Sequence, residues 1–315
     1  MKAKAAGRKT IKAANGAVNI AVLTIIVLLT AFAGYALWDS KQIYQAADRS
    51  NYAVYKPTAA DEGKSFKELQ AINGEVFAWL TVYGTNIDYP VAQGQDNMKY
   101  VNTSAEGLYS LSGAIFLDYA NSDDFSDFNS ILYGHHMAKK AMFGEIGDFA
   151  EKSVFDANRY GKLYYGGKDH GLEFFAFLHV DAYDSSVFRA NVKGEARRQY
   201  LDNLLEKASH TRDIGVSVND RIVLLSTCSS SSTNGRDILI GRISGEVFEE
   251  GEAITAETSG GKEKSGADGQ DCLVKEIPLA LPILIIILTA LLIVKILGFV
   301  QKRGQNKKQT EGRKT

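Results

Sequence analysis

One cysteine and one arginine flank a short loop in the C-terminal half of the chain. Cys228 ends an apolar run that begins at Leu224, and Arg236 follows eight positions later, after a Ser-rich stretch. A thiolate is a strong nucleophile, and an arginine keeps its charge and donates several hydrogen bonds to a developing oxyanion. The pattern indicates covalent acyl transfer, a chemistry that also requires a group to move protons.

Two adjacent histidines are candidates for that group. His135 and His136 follow an apolar run that starts at Ile131, so they lie just past a predicted strand, where Gly134 lets the chain turn. An imidazole titrates in the range that proton transfer to and from a thiol requires. A zinc site is not indicated, because adjacent histidines chelate poorly together and the sequence has no cysteine or carboxylate cluster at ligand spacing. The residues alone leave open which histidine would act.

The elements around these residues predict a β-rich domain. Runs of β-branched and aromatic residues recur at short intervals, and many short strands with few prolines are typical of a closed or nearly closed barrel. In such a barrel Cys228 ends one strand, Arg236 begins the next and His135 follows a third, so all three can meet at one end. The predicted strands are 77–82, 87–91, 114–117, 130–133, 162–165, 172–180, 221–227 and 238–247.

Three helices are predicted in addition to the strands. A short amphipathic helix places Phe66, Leu69 and Ile72 on one face. Residues 142–151 are a weaker candidate because two glycines lower their helix propensity, whereas residues 195–209 carry a continuous apolar stripe. The predicted fold class is therefore mainly β with added helices.

Two apolar segments predict membrane spans. Residues 17–38 contain no charge, and residues 277–299 are apolar apart from Lys295, so each is long enough to cross a hydrocarbon core. Lys and Arg residues cluster before the first segment and after the second, which predicts that both tails are cytoplasmic and that the central part is external. A cleaved signal peptide is the alternative for the first segment. The other predicted parts are a basic tail at 1–16, a stalk at 39–60, a catalytic domain at 61–250, a flexible linker at 251–276 and a basic tail at 300–315.

The charge of the chain restricts its possible partners, and its cysteine content indicates whether Cys228 is a free thiol. The net charge is −1 and both tails are basic, so the external part is acidic, which argues against nucleic acid as a partner. The chain has one other cysteine, Cys272, in the Gly- and Ser-rich linker. A disulfide between Cys228 and Cys272 would tie the domain to a flexible tether, so we predict a free thiol at Cys228.

Taken together, these segments resemble class B sortases. They occur in the family's order over about residues 66–247, and the ordered set is far more specific than any single motif. The matching segments are Asn86–Val91 with Asp96 and Asn97, Gly113–Asp118, Tyr133–Met137, Met142–Gly144, and Leu225–Cys228 with Arg236.

The resemblance implies an eight-stranded sortase-type β-barrel and a cysteine transpeptidase on the outer face of a Gram-positive membrane. It implies that Cys228 is the nucleophile, His135 the general acid/base and Arg236 the group that stabilises the oxyanion or orients the substrate. The positions that match the lining of the family's peptide groove are Asn97, Ser226 and Thr227.

The resemblance also implies the substrates. They are surface proteins with a C-terminal sorting signal, cleaved after threonine in an NPxT- or LPxT-like motif and held as a thioester. The implied acceptor is an amine of a peptidoglycan precursor or of a pilin. No metal and no cofactor are predicted, although some sortases respond to calcium.

Two departures from the family leave surface anchoring and pilus assembly both open. Leu224 stands where the cysteine motif usually begins with threonine. A C-terminal span is commoner in class C sortases, which polymerise pilins, but the stalk lacks their DPW- or DPF-like lid motif. Two other functions remain as alternatives: a cysteine peptidase that passes the acyl group to water, and a surface-binding module without catalysis.

Overall fold

The computed structural model describes residues 2–58, 63–229 and 233–250. A long helix, α1 (Lys2–Ala46), contains an apolar stretch with a mean hydropathy of 2.4, none of it buried. It is the one helix in the described ranges that is long and apolar enough to cross a membrane. The linker predicted at 251–276 with Cys272, the second span at 277–299 and the tail at 300–315 lie outside the described residues.

From residue 76 onward the described chain contains eleven strands. Residues of high β-propensity occupy them, and their burial alternates clearly in β7, where Gly161, Leu163 and Tyr165 are buried. The strands are β1 (Val76–Val82), β2 (Asp88–Ala92), β3 (Ile115–Leu117), β4 (Asn129–Tyr133), β5 (His136–Met137), β6 (Ala141–Met142), β7 (Tyr160–Tyr165), β8 (Lys168–Asp181), β9 (Ala208–Thr211), β10 (Arg221–Cys228) and β11 (Gly235–Ser244).

Eight of these strands close into a barrel. The pairing runs β1, β2, β3, β4, β10, β11, β8, β7 and back to β1. The pairs β2–β3 and β4–β10 are parallel, and the others in the ring are antiparallel. The eight-stranded barrel expected from the sequence is therefore confirmed. Strand β9 adds to β8 outside the ring, and β5 and β6 form a separate hairpin.

Two packed faces hold the barrel strands near Cys228. Helix α4 (Ala196–Lys207) buries Tyr200, Leu201 and Leu204 against a cluster that includes Leu224 and Ile240. Because side chains alternate along a strand, neighbouring residues such as Leu225 and Leu239 belong to the opposite face, which lines the barrel interior. The strand that ends at Cys228 is thus buried on both sides.

The helix predictions agree with the structure at two places and differ at a third. Helix α2 (Lys64–Ile72) buries Phe66 and Leu69, although Ile72 is exposed. The prediction of a helix over 142–151 is wrong over its first half, because Met142 ends β6 with a positive φ of 52° and the backbone at Gly144 packs closely against the Met137 carbonyl oxygen of the β5–β6 hairpin. The helical parts here are a 3-10 turn (Ile146–Ala150) and α3 (Lys152–Ala157).

A buried carboxylate joins two arginines on the outside of β8. Glu173 is 5% exposed; it accepts hydrogen bonds from Arg159 at 2.7 and 3.1 Å and from Arg242 at 2.6 Å. Removing one partner of a buried ion pair leaves the other charges without a counter-charge. We therefore expect Glu173→Ala to lower the free energy of unfolding by about 2–4 kcal/mol. Chemical denaturation measures this. The exposed pair Lys152–Asp156 supplies the control, since Asp156→Ala is expected to cost less than about 1 kcal/mol; equal costs would contradict the prediction.

His170 gives the fold a pH dependence. Its ring stacks on Tyr165 with a centroid distance of 3.8 Å, and burial lowers the pKa of His170 below 6.5. The unfolded chain therefore binds the proton at a higher pH than the folded protein, and the free energy of unfolding falls as the pH drops below about 6.5. We expect His170→Phe, which keeps an aromatic ring there, to lose less stability than the parent between about pH 7.5 and pH 5. Denaturation at both pH values tests this, and equal losses would contradict it.

Candidate active site

The ends of three neighbouring strands meet at one edge of the barrel. Strands β4 and β10 are parallel, so both finish at this edge, and β11 starts there because it runs antiparallel to β10. In the register, Tyr133 lies opposite Ser226 and Cys228 lies opposite Arg236. The predicted nucleophile and the predicted oxyanion-binding residue are therefore cross-strand neighbours on the same face.

The register also brings His135 to this edge. Beyond the last β4 pair, the Gly134 N–H still donates to the Ser226 carbonyl oxygen at 3.2 Å, so the two chains stay side by side. His135 comes two residues after Tyr133, and Cys228 two residues after Ser226, so both residues follow the last β4–β10 pair by the same number of positions. The structure thus gathers the three predicted catalytic residues on adjacent strand ends.

The approach to His135 requires glycine. A Cβ at Gly134 would lie 2.5 Å from the Ile115 Cδ1 atom and 2.7 Å from a ring carbon of Phe143, and both of these side chains are fully buried. The Phe143 N–H then donates to the His135 carbonyl oxygen at 3.0 Å. The backbone of His135 is consequently fixed by the core on both sides.

The side chain of His135 has a defined tautomer when neutral. Its Nε2 atom lies 2.8 Å from the carbonyl oxygen of Val101. A carbonyl oxygen only accepts hydrogen bonds, so Nε2 carries the hydrogen and Nδ1 has the lone pair. His136, in contrast, lies in β5 opposite Met142, and its buried Nδ1 has no hydrogen-bond partner among the described residues.

Cys228 and Arg236 are both half-buried. Cys228 is a free thiol at the last position of β10. Arg236 donates one N–H, from Nη1, to the carbonyl oxygen of Gly235 at 3.0 Å. A guanidinium has five N–H donors, so this contact orients the group while leaving donors for a ligand.

A hydrogen-bonded chain links Asn97 to the position beneath the site. The Asn97 amide donates to Asp118 at 2.9 Å and accepts from the Tyr119 N–H at 3.0 Å. Asp118 also accepts from the hydroxyl of Tyr133, the residue opposite Ser226, at 3.0 Å. Burial and the Asp118 carboxylate raise the pKa of Tyr133, which keeps that hydroxyl protonated as a donor.

The two hydroxyl residues before Cys228 point to opposite faces. Both are 2% exposed, and neither hydroxyl has a hydrogen-bond partner in the described part of the chain. Ser226 shares the face of Cys228, whereas the Thr227 side chain lies toward the barrel interior, opposite Asp237 in the register. Asp237 accepts a hydrogen bond there from His179 Nδ1 at 2.8 Å.

Sequence reasoning missed several residues around the site. Val101 acts through a backbone carbonyl, which no side-chain pattern reveals. Asp118 and Tyr133 lie inside segments that carried the family resemblance, and that was the available signal. Within the ranges that the structure describes, no group of three or more His, Cys, Asp or Glu residues could hold a metal ion.

Comparisons with known proteins agree with this architecture. No family model matches the chain. Sortase B of Staphylococcus aureus is 30% identical over 187 residues, which cover 56% of this chain and 74% of that protein. A solved sortase B from the Type II pilus of Streptococcus pneumoniae is 48% identical, with a TM-score of 0.50, and covers 57% of this chain and 98% of that one. A Streptococcus pyogenes class B sortase involved in pilus biogenesis is 41% identical, with a TM-score of 0.53, and the match covers 58% of this chain and 99% of that one.

The barrel and these relatives define the class of the protein: it is a sortase, a cysteine transpeptidase. The Staphylococcus aureus relative matches at 30% identity over 74% of its own length. The chain belongs to the sortase B family. The apolar part of α1 is consistent with a membrane anchor at the N-terminus, as expected for a sortase whose catalytic domain is external.

Proposed function

We propose that Cys228, His135 and Arg236 transfer proteins with a C-terminal sorting signal to an amine. The observation that carries this proposal is the convergence of the three residues on adjacent strand ends, with Cys228 paired to Arg236 in the register. No other cysteine occurs in the described residues. The membership of the sortase B family supports the same reaction.

The first step forms a thioester. The Cys228 thiolate attacks the carbonyl carbon of the threonine in the sorting motif, and the guanidinium of Arg236 stabilises the resulting oxyanion. When the peptide bond breaks, its electron pair stays on the departing nitrogen, which takes a proton from the imidazolium of His135. The acyl group is then held on sulfur, and the C-terminal fragment leaves.

The second step passes the acyl group to an amine. His135, now neutral, accepts a proton from the incoming amine as its nitrogen attacks the thioester, and the thiolate leaves. Because the Val101 carbonyl occupies Nε2–H, the proton is exchanged at Nδ1 in both steps. The contact with Val101 also holds the ring, since a hydrogen bond at one nitrogen sets the tautomer at the other.

Asn97, Ser226 and Thr227 are proposed to border the peptide. The assignment of Ser226 is supported by its position on the same face of β10 as Cys228, two residues earlier. Asn97 is supported by its link through Asp118 to Tyr133. The Thr227 side chain lies on the other face, so its contribution would come from its backbone. The motif that we propose is NPxT-like, in keeping with the class B family.

The proposed acceptor is the amine of a pilin lysine. This is supported by the two solved relatives described above, which are 48% and 41% identical to this chain and come from pilus systems. A solved sortase B in complex with triglycine is 27% identical and favours a glycine amine as the alternative acceptor. The proposed topology has two spans, at 17–38 and 277–299, with both termini cytoplasmic and the domain at 61–250 external.

Product analysis tests the transfer reaction. The chain is incubated with a sorting peptide that contains an NPxT-like motif, with a lysine-bearing pilin peptide, with triglycine or with no amine. We expect an amide product with the pilin peptide in preference to triglycine, and only slow release of the free acid without an amine. Free acid as the sole product at saturating amine would instead identify a cysteine peptidase.

Arg236 provides a separate prediction. Arg236→Lys keeps the positive charge but loses the fork of N–H donors, so we expect kcat/KM for peptide cleavage to fall about 100-fold. Arg198, an exposed arginine of α4, is the matched control, and Arg198→Lys is expected to retain full activity. A similar activity in the two variants would remove Arg236 from the mechanism.

A further inference from the structure

The hairpin that follows His135 has an unusual backbone. This 136–142 hairpin consists of β5, a turn and β6, and three of its residues other than glycine have positive φ: Lys139 (59°), Lys140 (60°) and Met142 (52°). Residues with a Cβ rarely adopt this backbone conformation, and it persists only where surrounding contacts stabilise it. The hairpin therefore depends on its neighbours for its shape.

Tyr89 makes the central supporting contact. Its hydroxyl accepts a hydrogen bond from the N–H of Met142 at 3.1 Å and donates one to the carbonyl oxygen of Ala47 at 3.0 Å. Tyr89 is 2% exposed and Ala47 1% exposed, so both bonds are shielded from water. Burial raises the pKa of Tyr89, so the hydroxyl keeps the proton that it donates to Ala47.

The supported residue is one position from a contact with the catalytic histidine. Phe143, which follows Met142, donates its N–H to the His135 carbonyl oxygen at 3.0 Å and is completely buried. A displacement of Met142 would therefore move the donor that fixes His135. The same hydroxyl that holds Met142 also holds Ala47, the residue directly after α1.

A second contact joins the same two segments. The ammonium group of Lys139, at the turn of the hairpin, lies 4.3 Å from the centroid of the Tyr44 ring in the last turn of α1. On the opposite side, Lys140 pairs with the buried carboxylate of Glu145 at 3.1 Å. The turn is thus held between the segment 44–47 and the core.

We propose that Tyr89 is a positioning residue for His135, and that it acts by coupling the segment 44–47 to the 136–142 hairpin. The proposal rests on the proposed role of His135. Loss of the hydroxyl would leave the Met142 N–H and the Ala47 carbonyl without their shared partner and would let the hairpin relax. The substrate groove would be unchanged, so kcat would fall without a change in KM.

The test compares two tyrosines in the full-length chain, purified in detergent. Tyr89→Phe is expected to lower kcat for peptide cleavage about five- to tenfold with an unchanged KM. Tyr165→Phe is the matched control: its buried hydroxyl bonds to Arg221, at the opposite end of β10 from Cys228. This variant is expected to lose stability but to keep kcat. Equal kcat values for Tyr89→Phe, Tyr165→Phe and the parent would overturn the proposal.

A second variant serves if Tyr89→Phe fails to fold. Tyr44→Leu removes the half-exposed ring beside Lys139 and is expected to lower kcat about two- to threefold, again without changing KM; an unchanged kcat would overturn the proposal. His135→Ala is measured in parallel. If it stays active, the proposed role of His135 fails; if it is inactive while Tyr89→Phe is fully active, only the positioning role fails.

Discussion

Replacing Cys228 with alanine is expected to abolish both release of the C-terminal fragment and transfer to an amine. In the proposed mechanism the thiolate supplies the bond that holds the acyl group between the two steps, and the described residues contain no other thiol that could replace it. We expect at least a roughly 10,000-fold loss of kcat, on the order of the losses caused by removing other catalytic nucleophiles. Peptide cleavage followed by mass spectrometry measures both products.

Cys272→Ala is the matched control for this variant. Cys272 belongs to the predicted linker, so its replacement is expected to leave both products at the parent level. The side chain of Cys228 is half-buried at a strand end, and alanine fits there without a clash, so the variant should stay folded and still bind the sorting peptide. Fragment release by Cys228→Ala, or its loss in Cys272→Ala, would contradict the assignment.

His135→Ala is expected to lower kcat about 1,000-fold. In the proposed mechanism the variant removes the group that protonates the departing amine and deprotonates the incoming one, while the thiol and Arg236 remain in place. Small exogenous imidazole should restore part of the activity, because it can enter the space left by the ring. The rate of peptide cleavage, with and without imidazole, measures the effect.

The neighbouring histidine makes the test specific. His136 differs from His135 by one position and lies in β5, opposite Met142, so His136→Ala is expected to retain activity within about threefold of the parent. Equal losses in the two variants would mean that the pair acts through the fold of this segment. A loss confined to His136→Ala would show that His136, and not His135, is the general acid/base.

The sequence was sufficient for the barrel because each strand has a short β-rich run and because the motifs occur in order. It was not sufficient for residues 142–151. The glycines there lowered the predicted helix propensity, but they did not show that Met142 ends the 136–142 hairpin. Gly144 marks a close approach to the Met137 carbonyl, a contact between backbones that composition does not report. Strand β9 was also missed, since a four-residue strand after α4 has too few residues for a pattern.

The candidate site was predictable only in part, for a similar physical reason. Cys228, His135 and Arg236 have side chains whose chemistry is recognisable, so the sequence could nominate them, but their meeting depends on the β4–β10 and β10–β11 registers. The contacts that hold His135 come from backbone groups of Val101 and Phe143. Nearly every residue type carries these groups, so no sequence pattern distinguishes the ones that matter.

The segment 39–60 shows a further limit of the sequence pattern. A polar stretch next to an apolar helix predicts a stalk, yet Ala47 and Tyr52 in it are buried against the domain. From Gln42 onward the described residues belong to one compact unit that includes the barrel. A fragment that begins at residue 61 would therefore lack contacts that this unit uses, including the Ala47 carbonyl that Tyr89 binds.

Intact mass spectrometry of the chain during turnover is the decisive test of covalent transfer through Cys228. With a sorting peptide and no amine, we expect the protein to gain the mass of the acyl fragment, the added mass to map to Cys228, and hydroxylamine or a pilin peptide to remove it. The adduct should be missing from Cys228→Ala and should accumulate when the amine is withheld. Amide product formed without any adduct on Cys228, or with the adduct on another residue, would contradict the proposed mechanism.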